Sequence, residues 1–148
     1  MKKIINIAVI GGGYNSTISG THLKSILATG KYKVSCGFFS KDKNKNIKNS
    51  SLYGLDKNKA YNDLNQLLVK EKNNFDIALV LVPPNSKYKI FKELAKHNVD
   101  IISEKPFDGN LRSAKKSYEL LKKKKIFFAT TYNYLGYPAI MEIKPLIK

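Results

Sequence analysis

Three consecutive glycines, Gly11, Gly12 and Gly13, close a run of seven mostly branched, apolar residues from Ile4 to Ile10, and a helical pattern begins a few residues later. Glycine lets the backbone turn tightly and approach a ligand with no Cβ in the way. A helix starting just beyond aims free N–H groups and the positive end of its dipole at the same point. Together these make a pyrophosphate cradle, built from Gly11, Gly12, Gly13, Tyr14, Asn15 and Ser16. The spacing Gly11-x-Gly13-x-x-Ser16 puts serine where a dinucleotide fingerprint has its third glycine; serine is nearly as small and suits a helix N-cap.

The elements around this turn alternate. Continuous apolar runs at Ile4–Ile10 and at Ile77–Val82 suit strands buried on both faces of a parallel sheet. Further strands are expected at Tyr32–Phe39, Lys59–Tyr61, Val99–Ser103 and Ile126–Thr131. Helices are expected between them, carrying Ile18, Leu23, Ile26 and Leu27 up to Gly30, then Leu64, Leu67 and Leu68 behind a cap at Asn62 or Asp63. Two more carry Ile90, Phe91, Leu94 and Ala95 behind a cap at Ser86, and Leu111, Ala114, Tyr118 and Leu121. Ser40–Ser50, rich in lysine and asparagine, reads as a loop leading into a short helix that stops near Gly54. The pattern predicts an α/β fold, a doubly wound parallel sheet with helices on both faces.

In such sheets ligands bind beyond the carboxyl ends of the strands, where the strand order reverses. The residues least explained by packing fall there: Gly11–Asn15, Pro83-Pro84-Asn85, Glu104-Lys105-Pro106 and Tyr132-Asn133-Tyr134.

The totals narrow the field. At 148 residues the chain has the size of one domain, and no run of about 18 apolar residues could span a membrane. The amino terminus lacks a small-residue cleavage site and its apolar run is the first strand, so a cytoplasmic setting is expected. The single cysteine, Cys36, lies in a strand and is expected to be a buried, inert thiol. No metal is called for. A net charge of +16 suggests nucleic acid, but 26 lysines stand against one arginine, Arg112, spread through every segment. The planar fork that reads guanine is nearly absent, and no specific nucleic-acid partner is expected.

Gly11-Gly12-Gly13 with Ile18 and His22, Pro84-Asn85, Glu104-Lys105-Pro106, and Thr131-x-Asn133-Tyr134-x-Gly136-Tyr137-Pro138 resemble the glucose–fructose oxidoreductase / inositol dehydrogenase (Gfo/Idh/MocA) family. The resemblance covers essentially the whole chain as that family's N-terminal half. It implies a Rossmann fold over residues 1–137, NAD or NADP as cofactor, and hydride transfer at a secondary alcohol of a sugar, cyclitol or related polyol. By the resemblance Asn85 lines the nicotinamide side, Glu104 contacts the nicotinamide ribose, and Lys105 reaches the reacting hydroxyl as the catalytic residue. Pro84 and Pro106 are also implied among the cofactor-binding residues, Pro106 fixing the turn that aims Lys105, and Tyr132, Asn133 and Tyr134 face the substrate. A lysine partly desolvated beside a positive ring suits proton exchange.

Four departures follow. Tyr88 and Tyr132 stand where the family often has histidine. No acidic residue occurs before Asp42 to hold the adenosine ribose; Ser40 and Lys41 end the second strand instead, a hydroxyl and a cation better suited to a 2′-phosphate, hence a lean to NADP. Serine replaces the third glycine. Finally, Pro138–Lys148 reads as the start of a helix connecting to a C-terminal α+β domain that the resemblance implies and this chain lacks. That domain would supply the substrate wall and a homo-oligomer interface. A non-catalytic NAD(P)-binding module is the alternative reading.

Overall fold

The computed structural model describes residues 3–147; Met1 and Lys2, within the expected cofactor domain, and Lys148, at the end of the expected connecting helix, lie outside the described residues. Five parallel strands, β1 (Ile5–Gly11), β2 (Tyr32–Phe38), β3 (Ile77–Leu81), β4 (Asp100–Glu104) and β5 (Phe128–Thr131), form one sheet in the order β2-β1-β3-β4-β5. The chain leaves β1 toward β2 on one side and later returns to build β3 on the other. The strand order therefore reverses between β1 and β3, whose carboxyl ends are Gly11 and Leu81.

Side chains alternate across the sheet and feed two apolar layers. Ala8, Ile10, Ala78, Val80 and Ile101 pack with α3 (Leu64–Lys70), α4 (Lys87–Lys96) and α5 (Leu111–Lys123) through residues such as Leu67, Phe91 and Leu121. Ile7, Val9, Leu79 and Leu81 pack with Ile26 of α1 (Thr17–Thr29) and with Leu52 and Tyr53 at the end of α2 (Lys43–Leu52). Helices cover both faces, so the fold is a doubly wound α/β sheet. Cys36 sits fully buried in the first layer, where burial pushes its thiol up to about 12.

The expected strand at Lys59–Tyr61 is not formed. Asp56 accepts the Asn58 N–H and starts a 3-10 turn at Lys57–Lys59. What remains of a strand is one parallel bridge, Gly37 to Ala60, with the Tyr61 N–H donating to the Gly37 carbonyl (2.8 Å). Ala60 therefore stands where a third strand would extend the sheet beyond β2. Asp63 caps α3 so soon after it that no second rung can form.

Ser40–Ser50 is helix rather than loop for most of its length. The Asp42 carboxylate accepts the N–H groups of Asn44 and Lys45 and opens α2. The inward face of α2 is Asn46, Asn49 and Ser50, all buried and polar, so there was no apolar stripe to read. Two other details differ. Ser86 ends a 3-10 turn, Pro84–Ser86, and its hydroxyl caps nothing. Leu27, Leu111 and Tyr118, assigned to apolar faces, are exposed, because Ile26 in α1 and Ser117 with Leu121 in α5 take the inward positions.

The last turns, a 3-10 segment at Asn133–Gly136 and α6 (Pro138–Ile143), lie outside both layers and expose Tyr134, Leu135 and Met141. Among the described residues no helix is long and apolar enough to cross a membrane.

Candidate functional site

The glycine turn is shaped by β3. Gly11 (φ 83°) and Gly12 (φ 66°) adopt left-handed conformations. A Cβ on Gly11 would stand 2.7 Å from the Leu81 carbonyl oxygen and 2.8 Å from Val82 Cγ1; one on Gly12 would meet Leu81 Cδ1 at 2.7 Å. Both positions therefore exclude side chains. The Gly12 N–H donates to the Leu81 carbonyl (3.2 Å), and the Tyr53 hydroxyl donates to the Gly12 carbonyl (2.9 Å). From α2, Asn49 Oδ1 accepts the Tyr14 N–H (2.5 Å). Ser16 takes the N-cap position of α1, but its hydroxyl makes no capping hydrogen bond, which leaves first-turn N–H groups to a ligand.

A groove lies over this turn and has two arms that share Gly13, Ser16 and Phe39. The first, of about 620 Å³, is lined by Gly11, Gly12, Thr17, Ile18, Pro83, Glu104 and Lys105 among others. The second, of about 1000 Å³, runs toward α2 past Tyr14, Asn15, Ser40, Lys45, Lys48 and Asn49. Lys105 and Gly13 thus border the same hollow, at the reversal of strand order.

Glu104 is the most heavily constrained side chain in the first arm. His22 Nε2 of α1 lies 2.9 Å from its Oε1, the Thr131 hydroxyl of β5 donates to the same oxygen (2.7 Å), and the Lys105 N–H donates to Oε2 (3.0 Å). Burial would raise its pKa, but these hydrogen bonds outweigh it and hold the carboxyl below the ordinary 4.5. An aligned carboxylate at a strand tip can accept hydroxyls of a sugar or ribose. Lys105, next along, is exposed, and its peptide bond to Pro106 is cis.

The remaining expected residues separate into those brought to the groove and those outside its lining. Gly11, Gly12, Gly13, Tyr14, Asn15, Ser16, Ser40, Glu104 and Lys105 line it; Lys41, Pro84, Asn85, Pro106, Tyr132, Asn133 and Tyr134 do not. Lys41 is exposed. Asn85 packs against Gly109, where a Cβ would collide with its side chain.

Several contributors were not legible in the sequence. Lys45 and Lys48 project from a helix that read as loop. Asn46 Oδ1 accepts the N–H groups of Phe39 (3.1 Å) and Ser40 (2.9 Å) and so fixes the end of β2. Lys87, the first residue of α4, is fully buried beneath the Glu104–Pro106 turn. The usable signal was Asp42, a helix cap three residues ahead of Lys45.

The bare, left-handed turn and the uncapped start of α1 fit a dinucleotide's pyrophosphate. No curated protein matches the chain. Among solved structures, an inositol dehydrogenase homolog from Azotobacter vinelandii, complexed with NADH and myo-inositol, superposes with a TM-score of 0.89 at 23% identity, covering 98% of this chain and 39% of that one. An oxidoreductase from Sinorhizobium meliloti gives 0.87 at 26%, covering 98% and 41%. The WlbA dehydrogenase from Bordetella pertussis, in complex with NADH and UDP-GlcNAcA, gives 0.85 at 16%, covering 98% and 41%. This chain spans about two-fifths of the length of each, and the likeness is one of fold. Residues 5–132 match the oxidoreductase family with an NAD-binding Rossmann fold, GFO_IDH_MocA, and the chain belongs to that family.

Proposed function

We propose that this chain is the cofactor-binding half of an NAD(P)-dependent oxidoreductase that moves hydride to or from a secondary alcohol of a sugar, cyclitol or related polyol. The observation that carries the reading is that Lys105 and the glycine turn border one groove at the reversal of strand order. The turn and the first N–H groups of α1 bind the pyrophosphate. Glu104, held anionic by Thr131 and His22, accepts the nicotinamide ribose hydroxyls. Lys105 is the catalytic residue: its amine exchanges a proton with the substrate hydroxyl and offsets charge on the oxygen as the C–H bond changes. When bound, the nicotinamide gives or takes the hydride. Tyr132, Asn133 and Tyr134 follow Thr131, which pairs with Glu104 across β4 and β5, and on this reading they border the substrate. Two solved relatives carrying myo-inositol and UDP-GlcNAcA support the substrate class.

The cofactor preference on this reading is NADP. Ser40, Lys45 and Lys48 share the second arm, and the first acidic residue after β2, Asp42, is occupied as the cap of α2. A 2′-phosphate would gain charge-assisted hydrogen bonds there. Fluorescence titration tests both parts. NADPH should bind more tightly than NADH by roughly tenfold, and Lys45→Ala with Lys48→Ala should erase the difference. Absence of binding by either nucleotide at millimolar concentration would overturn the reading; equal affinities would overturn the NADP preference alone.

A further inference from the structure

We propose that Lys87 is a positioning residue that fastens the Glu104–Pro106 turn from below and so sets where Glu104 and Lys105 stand in the groove. The inference rests on the cofactor site proposed above, but the observations behind it are separate. Lys87 has no solvent exposure, and its ammonium donates to two backbone carbonyls of the turn, those of Glu104 and Pro106. Pro106 has no N–H to give, and the Lys105 N–H is turned onto the Glu104 carboxylate. The Ser103 hydroxyl also donates to the Glu104 carbonyl (3.2 Å), but from the same strand; Lys87 is the side chain that ties both carbonyls of the turn to another element.

The place chosen for this lysine is unfavourable on two counts. An ammonium is costly to bury, and the first residue of α4 lies at the positive end of that helix's dipole. Two carbonyl acceptors offset the burial, with the Glu104 and buried Asp108 carboxylates nearby and the Lys105 ammonium opposing them. Asp108 is itself fixed, accepting from the hydroxyls of Ser113 and Ser117 (both 2.7 Å). A lysine at a solvated helix start would have no reason to turn inward. Here the inward conformation links three segments: the start of α4, the tip of β4 and the loop before α5. Side-chain contacts from His22 and Thr131 orient the Glu104 carboxylate, while Lys87 fixes the backbone that carries it.

Lys87→Met, which keeps the length and removes the donors, separates positioning from general stability. In the folded variant NADPH affinity should fall roughly tenfold, while affinity for ADP, which reaches the glycine turn but not Glu104, should stay within about twofold. Backbone 15N relaxation gives a readout that needs no cofactor. Order parameters at Lys105 and Phe107 should be rigid, about 0.85, in the wild type and drop below about 0.6 in the variant. A rigid turn in Lys87→Met, or parallel losses for NADPH and ADP, would overturn the proposal. Failure of the wild type to bind any nucleotide would instead sink the proposed function and leave the relaxation result to decide this one. Should Lys87→Met not fold, the wild-type relaxation data stand alone: a mobile Lys105–Phe107 backbone above a buried Lys87 refutes the fastening, and a rigid one supports it.

Discussion

His22 Nε2 and Glu104 Oε1 are 2.9 Å apart although 82 residues separate them in the chain. The contact joins the first turns of α1, which start at the glycine cradle, to the tip of β4, which carries Lys105. It couples the glycine-turn end of the groove to the end bordered by Lys105 through two partly buried side chains, 16% and 13% exposed. Replacing His22 by Ala leaves Glu104 with Thr131 and its neighbour's N–H, so the carboxylate should lose orientation rather than charge. NADPH affinity should fall by roughly 3- to 10-fold with little change in the thermal midpoint. Unchanged affinity in the titration would show that the contact does not order the site.

Glycine substitutions should divide sharply by position. Gly11→Ala must place a Cβ in a left-handed conformation against the backbone of β3, and should cost roughly 2–4 kcal/mol of stability along with cofactor binding. Gly20 lies in the interior of α1 with nothing within 4 Å of an added Cβ. Gly20→Ala should therefore stabilise the fold by about 0.5–1 kcal/mol. Urea midpoints of the two variants check the contrast.

Asn46 is the internal clamp at the end of β2. Asn46→Ala leaves the Phe39 and Ser40 N–H groups without their acceptor in a partly buried setting. We expect a loss of about 2–4 kcal/mol by chemical denaturation. Asn46→Asp keeps the acceptor but loses the amide N–H that donates to the Ser40 carbonyl and sets a buried carboxylate oxygen against it, so it should recover little of the loss. A loss of less than about 0.5 kcal/mol in the alanine variant would mean that water replaces the side chain freely.

Acid should weaken the fold in a defined window. Glu104 and Glu71 both sit below the ordinary 4.5: burial raises each, but hydrogen bonds from Thr131 and His22 in one case, and from Tyr61, Lys59 and Asn74 in the other, prevail. Asp76 is held below 3.8 by Lys3 and the Asn6 N–H. Because each folded pKa is depressed, the stabilisation is complete above the unfolded values and disappears as pH falls through the lowered folded ones. Urea midpoints should be flat from pH 7 to about 5 and decline steeply below about 4.5. A decline beginning near pH 6 would assign the sensitivity to other groups.

The apolar runs at Ile4–Ile10 and Ile77–Val82 suited strands buried on both faces, and the glycines after the first suited a tight turn without side chains. Those segments, with the helices between them, made the doubly wound sheet and its glycine turn readable from the sequence. Glu104-Lys105-Pro106 was readable as a motif. Its surroundings were not, because His22, Thr131 and Lys87 reach it from three separate elements. The same limit hid α2: a helix whose buried face is Asn46, Asn49 and Ser50 leaves no periodic apolar signal, and its polar side chains acquire meaning only against the ends of β1 and β2. It also misplaced Lys59–Tyr61, where an Asp56 cap and an early start of α3 left one bridge in place of a strand. Local patterns record which face of an element must leave water. Which polar groups then meet across the sheet is decided by the tertiary packing, since hydrogen bonds between distant segments leave no periodicity in the chain.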